Sequence, residues 1–226
     1  MTRVAIIAAL PGELNPLVQG WHRTDQESVK LWRLTDGGDE YIAACAGAGQ
    51  PSATRAFAVI ERGGQIDLVF SIGWAGALRA DLAPGTAYNA AGVVDVQTGE
   101  RFPCDAGAGS LWLATSPKVA DEAEKHRLAS SYGAALVDME AAAVARLAGM
   151  RSIPFYCIKG ISDGFAEKLP DFNLFITNGQ FQTVRFVLYA LLKPWYWPAL
   201  VRMGENSKKA SQSIAEVLRD FLDGRG

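Results

Sequence analysis

The run Cys45-Ala-Gly-Ala-Gly-Gln-Pro-Ser-Ala-Thr54 marks the passage from a strand through a glycine turn into a helix. Glu40 to Cys45 is strand-like, and Pro51 sits near the first helical position, where its missing N–H costs nothing. The helix is predicted to reach Glu61. Moving outward, Val4 to Ala9 and Asp67 to Ile72 are short apolar runs of strand type. This alternation is the rhythm of a mostly parallel sheet. Further strands are predicted around Thr86 to Val96, Ala134 to Val137 and Phe155 to Ile161, with helices around Val119 to Ser130 and Met139 to Leu147. The fold class is α/β with helices covering both faces of the sheet. Without repeat, linker or low-complexity segment, residues 1–226 read as one domain. Ile214, Val217, Leu218, Phe221 and Leu222 add an amphipathic C-terminal helix, capped at Asn206 or Ser207 and ending before Gly224. Lys193 to Glu205, with Pro194, Trp195, Tyr196, Trp197 and Pro198, is predicted not to form a regular helix.

Composition narrows the function. With 49% hydrophobic and 20% charged residues, the chain can bury a sizeable core. Lys+Arg of 22 against Asp+Glu of 24 gives no positive field for a phosphate backbone, which argues against nucleic acid. Val4 to Leu10 and Val184 to Leu192, the latter interrupted by Arg185, are too short to span a bilayer. The first of these reads as a buried strand rather than a signal peptide, so a cytoplasmic location is expected. Cys45, Cys104 and Cys157 are widely spaced and expected to be reduced thiols. His22 and His126 are the only histidines and there is no GxSxG elbow. Neither a metal nor a cofactor is expected, and catalysis should run on carboxylates.

Five segments carry polar groups to the predicted sheet edge. Gly47 and Gly49 form a turn that either presents amides to an anion or is simply tight; a dinucleotide fingerprint would need a third glycine where Ser52 stands. Ser71-Ile-Gly-Trp-Ala-Gly-Ala77 is a second glycine loop, with Trp74 as either an apolar wall for a ligand or a core residue. In Val137-Asp-Met-Glu-Ala-Ala-Ala143 two acids open a helix; they either serve the helix dipole or accept hydrogen bonds from a vicinal diol, with Met139 under a sugar. Phe155 to Gly164 is an apolar strand ending in Ser162 and Asp163, either a polar turn or a desolvated general acid with a raised pKa. Glu13, after a Pro-Gly turn, is either a solvated loop acid or a fifth contribution to the same edge.

In order, spacing and type these segments resemble the purine and uridine phosphorylase superfamily from Val4 to about Asp163, most closely methylthioadenosine/S-adenosylhomocysteine nucleosidases. Val137-Asp-Met-Glu-Ala is the most specific match. The resemblance implies a three-layer sandwich around a mixed sheet, a homodimer or larger oligomer, and cleavage of the N-glycosidic bond of an adenosine-type nucleoside. It gives Asp163 the role of proton donor to the base and Glu13 that of base toward an attacking water, with Ser162 beside the acid. Glu140 would hold the ribose hydroxyls, Met139 would pack on the sugar, and Val119 with Ala120 would meet the adenine. Trp74, followed by Ala75 of the sugar loop, replaces a small hydroxyl residue, Ser71 stands where hexameric phosphorylases place a phosphate-binding arginine, and Lys159 replaces an arginine before Ser-Asp. Water is therefore the expected nucleophile, although phosphate held by Arg79 or Lys159 is the alternative.

Thr115-Ser-Pro-Lys-Val-Ala120, Tyr132 to Glu140 and Leu192 to Arg202 are similar to the hopanoid-associated phosphorylase subgroup, which implies an adenosyl lipid as a second substrate class. Trp195 to Trp197 would then face a membrane surface; burial in the core or in a subunit interface is the favoured expectation. From other classes, an inactive nucleoside-binding protein blocked by Trp74 and an oxidoreductase built on Gly47 and Gly49 remain as competing readings.

Overall fold

The computed structural model describes residues 1–105, 109–167, 170–177, 180–182, 185, 186, 189 and 192–224. Most of the apolar run from Val184 to Leu192 lies outside the described residues. The elements that build the site are β1 (Arg3–Ala8), α1 (Pro11–Leu14), β2 (His22–Gln26), β3 (Val29–Asp36), β4 (Asp39–Cys45), α2 (Gln50–Arg62), β5 (Leu68–Ala77), β6 (Ala87–Asp95), β7 (Arg101–Pro103), β8 (Leu111–Thr115), α3 (Glu122–Tyr132), β9 (Leu136–Asp138), α4 (Ala141–Met150), β10 (Phe155–Asp163) and α5 (Trp197–Asp223). The predicted strands and helices before the C-terminal one are present within a few residues of their expected bounds, but the segment from Ser71 to Ala77, read as a second glycine loop, continues β5 as strand. β2, β3, β7 and β8 were not legible: β2 is exposed along its whole length and carries no apolar alternation to signal a strand.

The sheet is mixed, with helices on both faces. β1 lies between parallel partners β4 and β5, and β10 runs parallel to β5 on its other edge. β3 and β2 extend the sheet antiparallel beyond β4. β5 is the hinge of the topology, because its last residues also pair with β9. The path β10–β6–β8–β9–β5 closes on itself through the β5–β10 pairing, which the linear order of elements did not reveal.

Alternation along β1 divides the core. Ala5 and Ile7 face a layer built from α2 and α4, where they join Phe57, Ile60, Val144 and Ala148. Val4, Ile6 and Ala8 face the opposite layer with Phe70, Tyr156, Ile214 and Leu218, the last two from α5. Among the described residues no helix is long and apolar enough to cross a membrane.

The C-terminal helix corrects two expectations. It begins at Trp197 rather than at Asn206 or Ser207, and it takes in most of the stretch predicted to be irregular. Pro198 falls in its first turn, where the lost N–H has no helical partner, so the proline starts the helix instead of breaking it. Trp195 and Trp197 are 66% and 47% exposed, so they are not buried in the core of this chain.

Gly160 on β10 allows α5 to lie close against the sheet. A Cβ at this position would come within 2.7 Å of Ala210 Cβ and 3.0 Å of its carbonyl oxygen. Gly160→Ala must therefore push the helix outward, and overpacking of this kind costs roughly 1–3 kcal/mol. Thermal unfolding should report it as a loss of about 2–4 °C per kcal/mol for a domain of this size.

Candidate active site

The parallel strands β1, β4, β5 and β10 deliver their carboxyl ends to one edge of the sheet. β9 runs against β5 but meets only Gly76 and Ala77, so Asp138 arrives at the same edge. There a cavity of about 900 Å³ opens between that edge, α1, α3 and α5. Glu13, Trp74, Ala75, Val119, Ala120, Met139, Glu140, Ser162 and Asp163, the nine residues singled out from the sequence, all line it.

Glu13 is not a solvated loop acid. It is 4% exposed, and the one-turn helix α1 folds its carboxylate back onto the end of β1. Oε2 accepts the amides of Ala9 and Leu10, each at 2.8 Å, and Oε1 accepts the amide of Trp74 at 2.8 Å. Burial pushes this carboxyl above the ordinary glutamate value, against the pull of the Trp74 and Leu10 amides, the Lys159 charge and the Ala9 amide. Gly73, at φ +137°, is required here: a Cβ would stand 2.7 Å from Glu13 Oε1.

The second acid group is Asp138 with Glu140. Neither lies inside the following helix, since α4 begins at Ala141. Asp138 is saturated by the Thr115 hydroxyl at 2.7 Å, the Ala141 amide at 2.9 Å and the Lys159 ammonium at 2.9 Å. Glu140 Oε1 instead accepts the amide of Gly49 at 2.5 Å. The group that meets the glycine turn after β4 is thus one of the protein's own carboxyls. Burial, and next the charge of Asp138, push the Glu140 carboxyl up to about 8, opposed by Lys159 and the Gly49 amide.

Asp163, at the end of β10, is 8% exposed. The Ser162 hydroxyl donates to its Oδ1 at 2.6 Å, and the ammonium of Lys125 contacts Oδ2. Sequence reasoning missed Lys125, because α3 reads as scaffold until the closed sheet brings it across from β10. It also missed Phe172, Phe186, Leu200 and Met203, which continue the apolar lining. The Val119 amide is taken by Asn173 at 2.8 Å, and its carbonyl accepts the Asn173 side-chain amide at 3.0 Å. Trp74 leans over Gly12 and donates its indole N–H to Ser211 of α5 at 2.8 Å. Neither cation considered for phosphate is available: Arg79 is exposed and paired with Asp81, and Lys159 is buried against Asp138.

Buried carboxyl groups thus gather at the carboxyl edge of a mixed α/β sheet. Residues 3–105 and 98–186 match the phosphorylase superfamily, and the chain belongs to that superfamily, among enzymes of the nucleosidase or nucleoside phosphorylase kind. A search of curated proteins gave no match. Among solved structures, the 5′-methylthioadenosine/S-adenosylhomocysteine nucleosidase of Helicobacter pylori with butyl-thio-DADMe-Immucillin-A is similar at 16% identity, over 99% of both chains, with a TM-score of 0.76. The native futalosine hydrolase of Helicobacter pylori strain 26695 is also 16% identical, over 99% of this chain and 98% of that one, with a TM-score of 0.76. The S-adenosylhomocysteine nucleosidase of Streptococcus pyogenes with 5-methylthiotubericidin is 18% identical, over 99% and 97%, with a TM-score of 0.75.

The raised pKa of Glu140 has a stability consequence. Folding favours its protonated form, so its contribution is complete below the ordinary glutamate value and is lost as pH rises through about 8. Thermal melts of the wild type should fall by several degrees from pH 5 to pH 9, where a kcal/mol is worth roughly 2–4 °C. Glu140→Gln should flatten that fall; an unchanged slope would show that Glu140 is not the titrating group.

Proposed function

We propose that the protein hydrolyses the N-glycosidic bond of an adenosine-type nucleoside, releasing adenine with water as the nucleophile. The observation that carries this reading is the convergence of Glu13, Glu140 and Asp163 on one cavity that, among the described residues, no arginine lines. Breaking a ribosyl–purine bond leaves a sugar of oxocarbenium character and a base holding the bonding pair. The reaction therefore calls for a proton for the base, a partner for the diol and a base for water. In this reading Asp163, beside Ser162, serves the leaving base. Glu140 serves the diol, because a carboxyl that holds its proton at neutral pH has one donor and spare acceptor positions for O2′ and O3′. Glu13 serves the water: Oε2 is filled by two amides, whereas Oε1, with one, keeps a lone pair toward the attacking oxygen. Met139 packs under the sugar, Val119 and Ala120 meet the base, and Trp74 and Ala75 wall the sugar side. Attack by phosphate is disfavoured because Lys125 is committed to Asp163, and the other lining lysines, Lys118 and Lys208, are exposed.

The size of the cavity favours a second reading of the substrate. A volume of about 900 Å³ exceeds the needs of a nucleoside, and Phe172, Phe186, Leu200 and Met203 supply apolar walls for a long 5′ substituent. Such walls suit the adenosyl lipid that the hopanoid-associated resemblance implies.

Incubation with methylthioadenosine, S-adenosylhomocysteine and adenosine, with and without phosphate, separates the readings by release of adenine. Release without phosphate is expected. Release only with phosphate, accompanied by ribose 1-phosphate, would establish phosphorolysis, and binding without turnover would establish an inactive binding protein. Glu13→Gln should lower kcat by about 10²-fold or more, the usual worth of a positioned general base, with an unchanged fold by circular dichroism.

A further inference from the structure

Lys125 is buried on α3, its side chain 3% exposed, and lines the cavity beside the acid read above as serving the leaving base. Its ammonium contacts Asp163 Oδ2 and donates to the carbonyl of Gly164 at 2.7 Å. The other oxygen of Asp163 accepts the Ser162 hydroxyl at 2.6 Å. Room for the pair comes from Gly76, where a Cβ would lie 3.2 Å from Asp163 Oδ2 and 3.3 Å from Lys125 Cε. One oxygen of Asp163 thus faces a cation, and the other faces a serine hydroxyl that also lies 3.3 Å from the Ala75 carbonyl. The ammonium beside the acid is a hydrogen-bonded donor with protons to spare.

We propose that Lys125 is a positioning residue that supplies the leaving base with its proton through Asp163. This rests on the nucleosidase reading. As the C1′–N9 bond breaks, its electron pair passes into the purine. A proton leaves Lys125 Nζ for Asp163 and passes from Asp163 to the ring nitrogen. Asp163 ends with the charge it began with, and Lys125 gives up one proton. Water forms the new bond to C1′ and gives its proton to Glu13. That proton returns to Lys125 through solvent when the products leave, so the cycle adds one water and consumes nothing else. The same ammonium fixes the carboxylate against rotation, which a lone aspartate at a strand end would not achieve.

The test compares two leaving groups. A purine nucleoside needs a proton to depart, whereas a nitrophenyl β-ribofuranoside releases a stable phenolate without one. Lys125→Met should lower kcat on the purine nucleoside by about 10²-fold or more, the usual worth of a positioned general acid, with at most a few-fold change on the nitrophenyl riboside. Equal losses on both, or no loss on either, would overturn the proposal. Because Lys125→Met leaves Asp163 without its cation and strains the fold, Lys125→Met/Asp163→Asn removes the pair together. Its activity on the purine nucleoside should match that of Asp163→Asn alone, since residues acting in series are not additive; a further loss would overturn the proposal. Wild-type protein that cleaves neither compound would overturn the nucleosidase reading and this proposal with it.

Discussion

One ammonium group, that of Lys159, holds together the charge arrangement at the sheet edge. It lies on β10, 1% exposed, in register with Gly73 of β5, and it pairs with Asp138 at 2.9 Å. Its field also reaches Glu13 and Glu140, lowering what burial would otherwise do to both. Burial works against the Lys159 ammonium, but the neighbouring groups, Asp138 first and then Cys157 and Glu140, together outweigh it and favour the charged form. Three carboxylates around one cation cannot all ionise at low cost. The compromise is an ionic Lys159–Asp138 pair with two flanking acids whose proton affinities are raised. Removing the lysine would strand Asp138, and an orphaned buried charge of this kind costs roughly 3–5 kcal/mol.

How far this was legible depended on whether a feature is local. The segments ending in Glu13, Glu140 and Asp163 could be read because each is a short apolar run that gives way at its end to a polar group, whereas Trp74, read as part of a glycine loop, lies inside β5. Their convergence could be read as well, since parallel strands deliver their carboxyl ends to one edge. What could not be read came from elements meeting across long separations. Lys125 faces Asp163 only because β9 closes the sheet and carries α3 across the opening. The start of α5 was misplaced for a local reason: Pro194 and Pro198 read as breakers, whereas in a first turn a proline has nothing to break.

Trp74 ties the two halves of the site together. Its backbone amide binds Glu13 and its indole N–H binds Ser211 of α5. Ser211 in turn donates to the carbonyl of Ser207 one turn back, so the helix that covers the cavity is fixed to the strand end that holds Glu13. A tryptophan at this position therefore does more than narrow the space above Gly12. It sets the distance between the polar edge of the sheet and the apolar wall carried by Leu200 and Met203.

The glycines of the edge have a common physical role, and it is not the one their pattern first suggests. Glycine loops after strands are usually read as backbone laid open to a ligand. Here Gly73 leaves space for the Glu13 carboxylate, Gly76 for the Lys125–Asp163 pair, and Gly49 turns its amide to Glu140. At Gly73 and Gly76 a missing Cβ lets one of the protein's own charged groups lie against the backbone, whereas Gly49 contributes a left-handed φ of +91° that aims its amide. These contacts fix the carboxylates in direction as well as in place, as a site whose chemistry depends on where lone pairs point requires. The glycine content of the sequence and its acid content are therefore one feature: without the first, the second could not be packed into a single cavity.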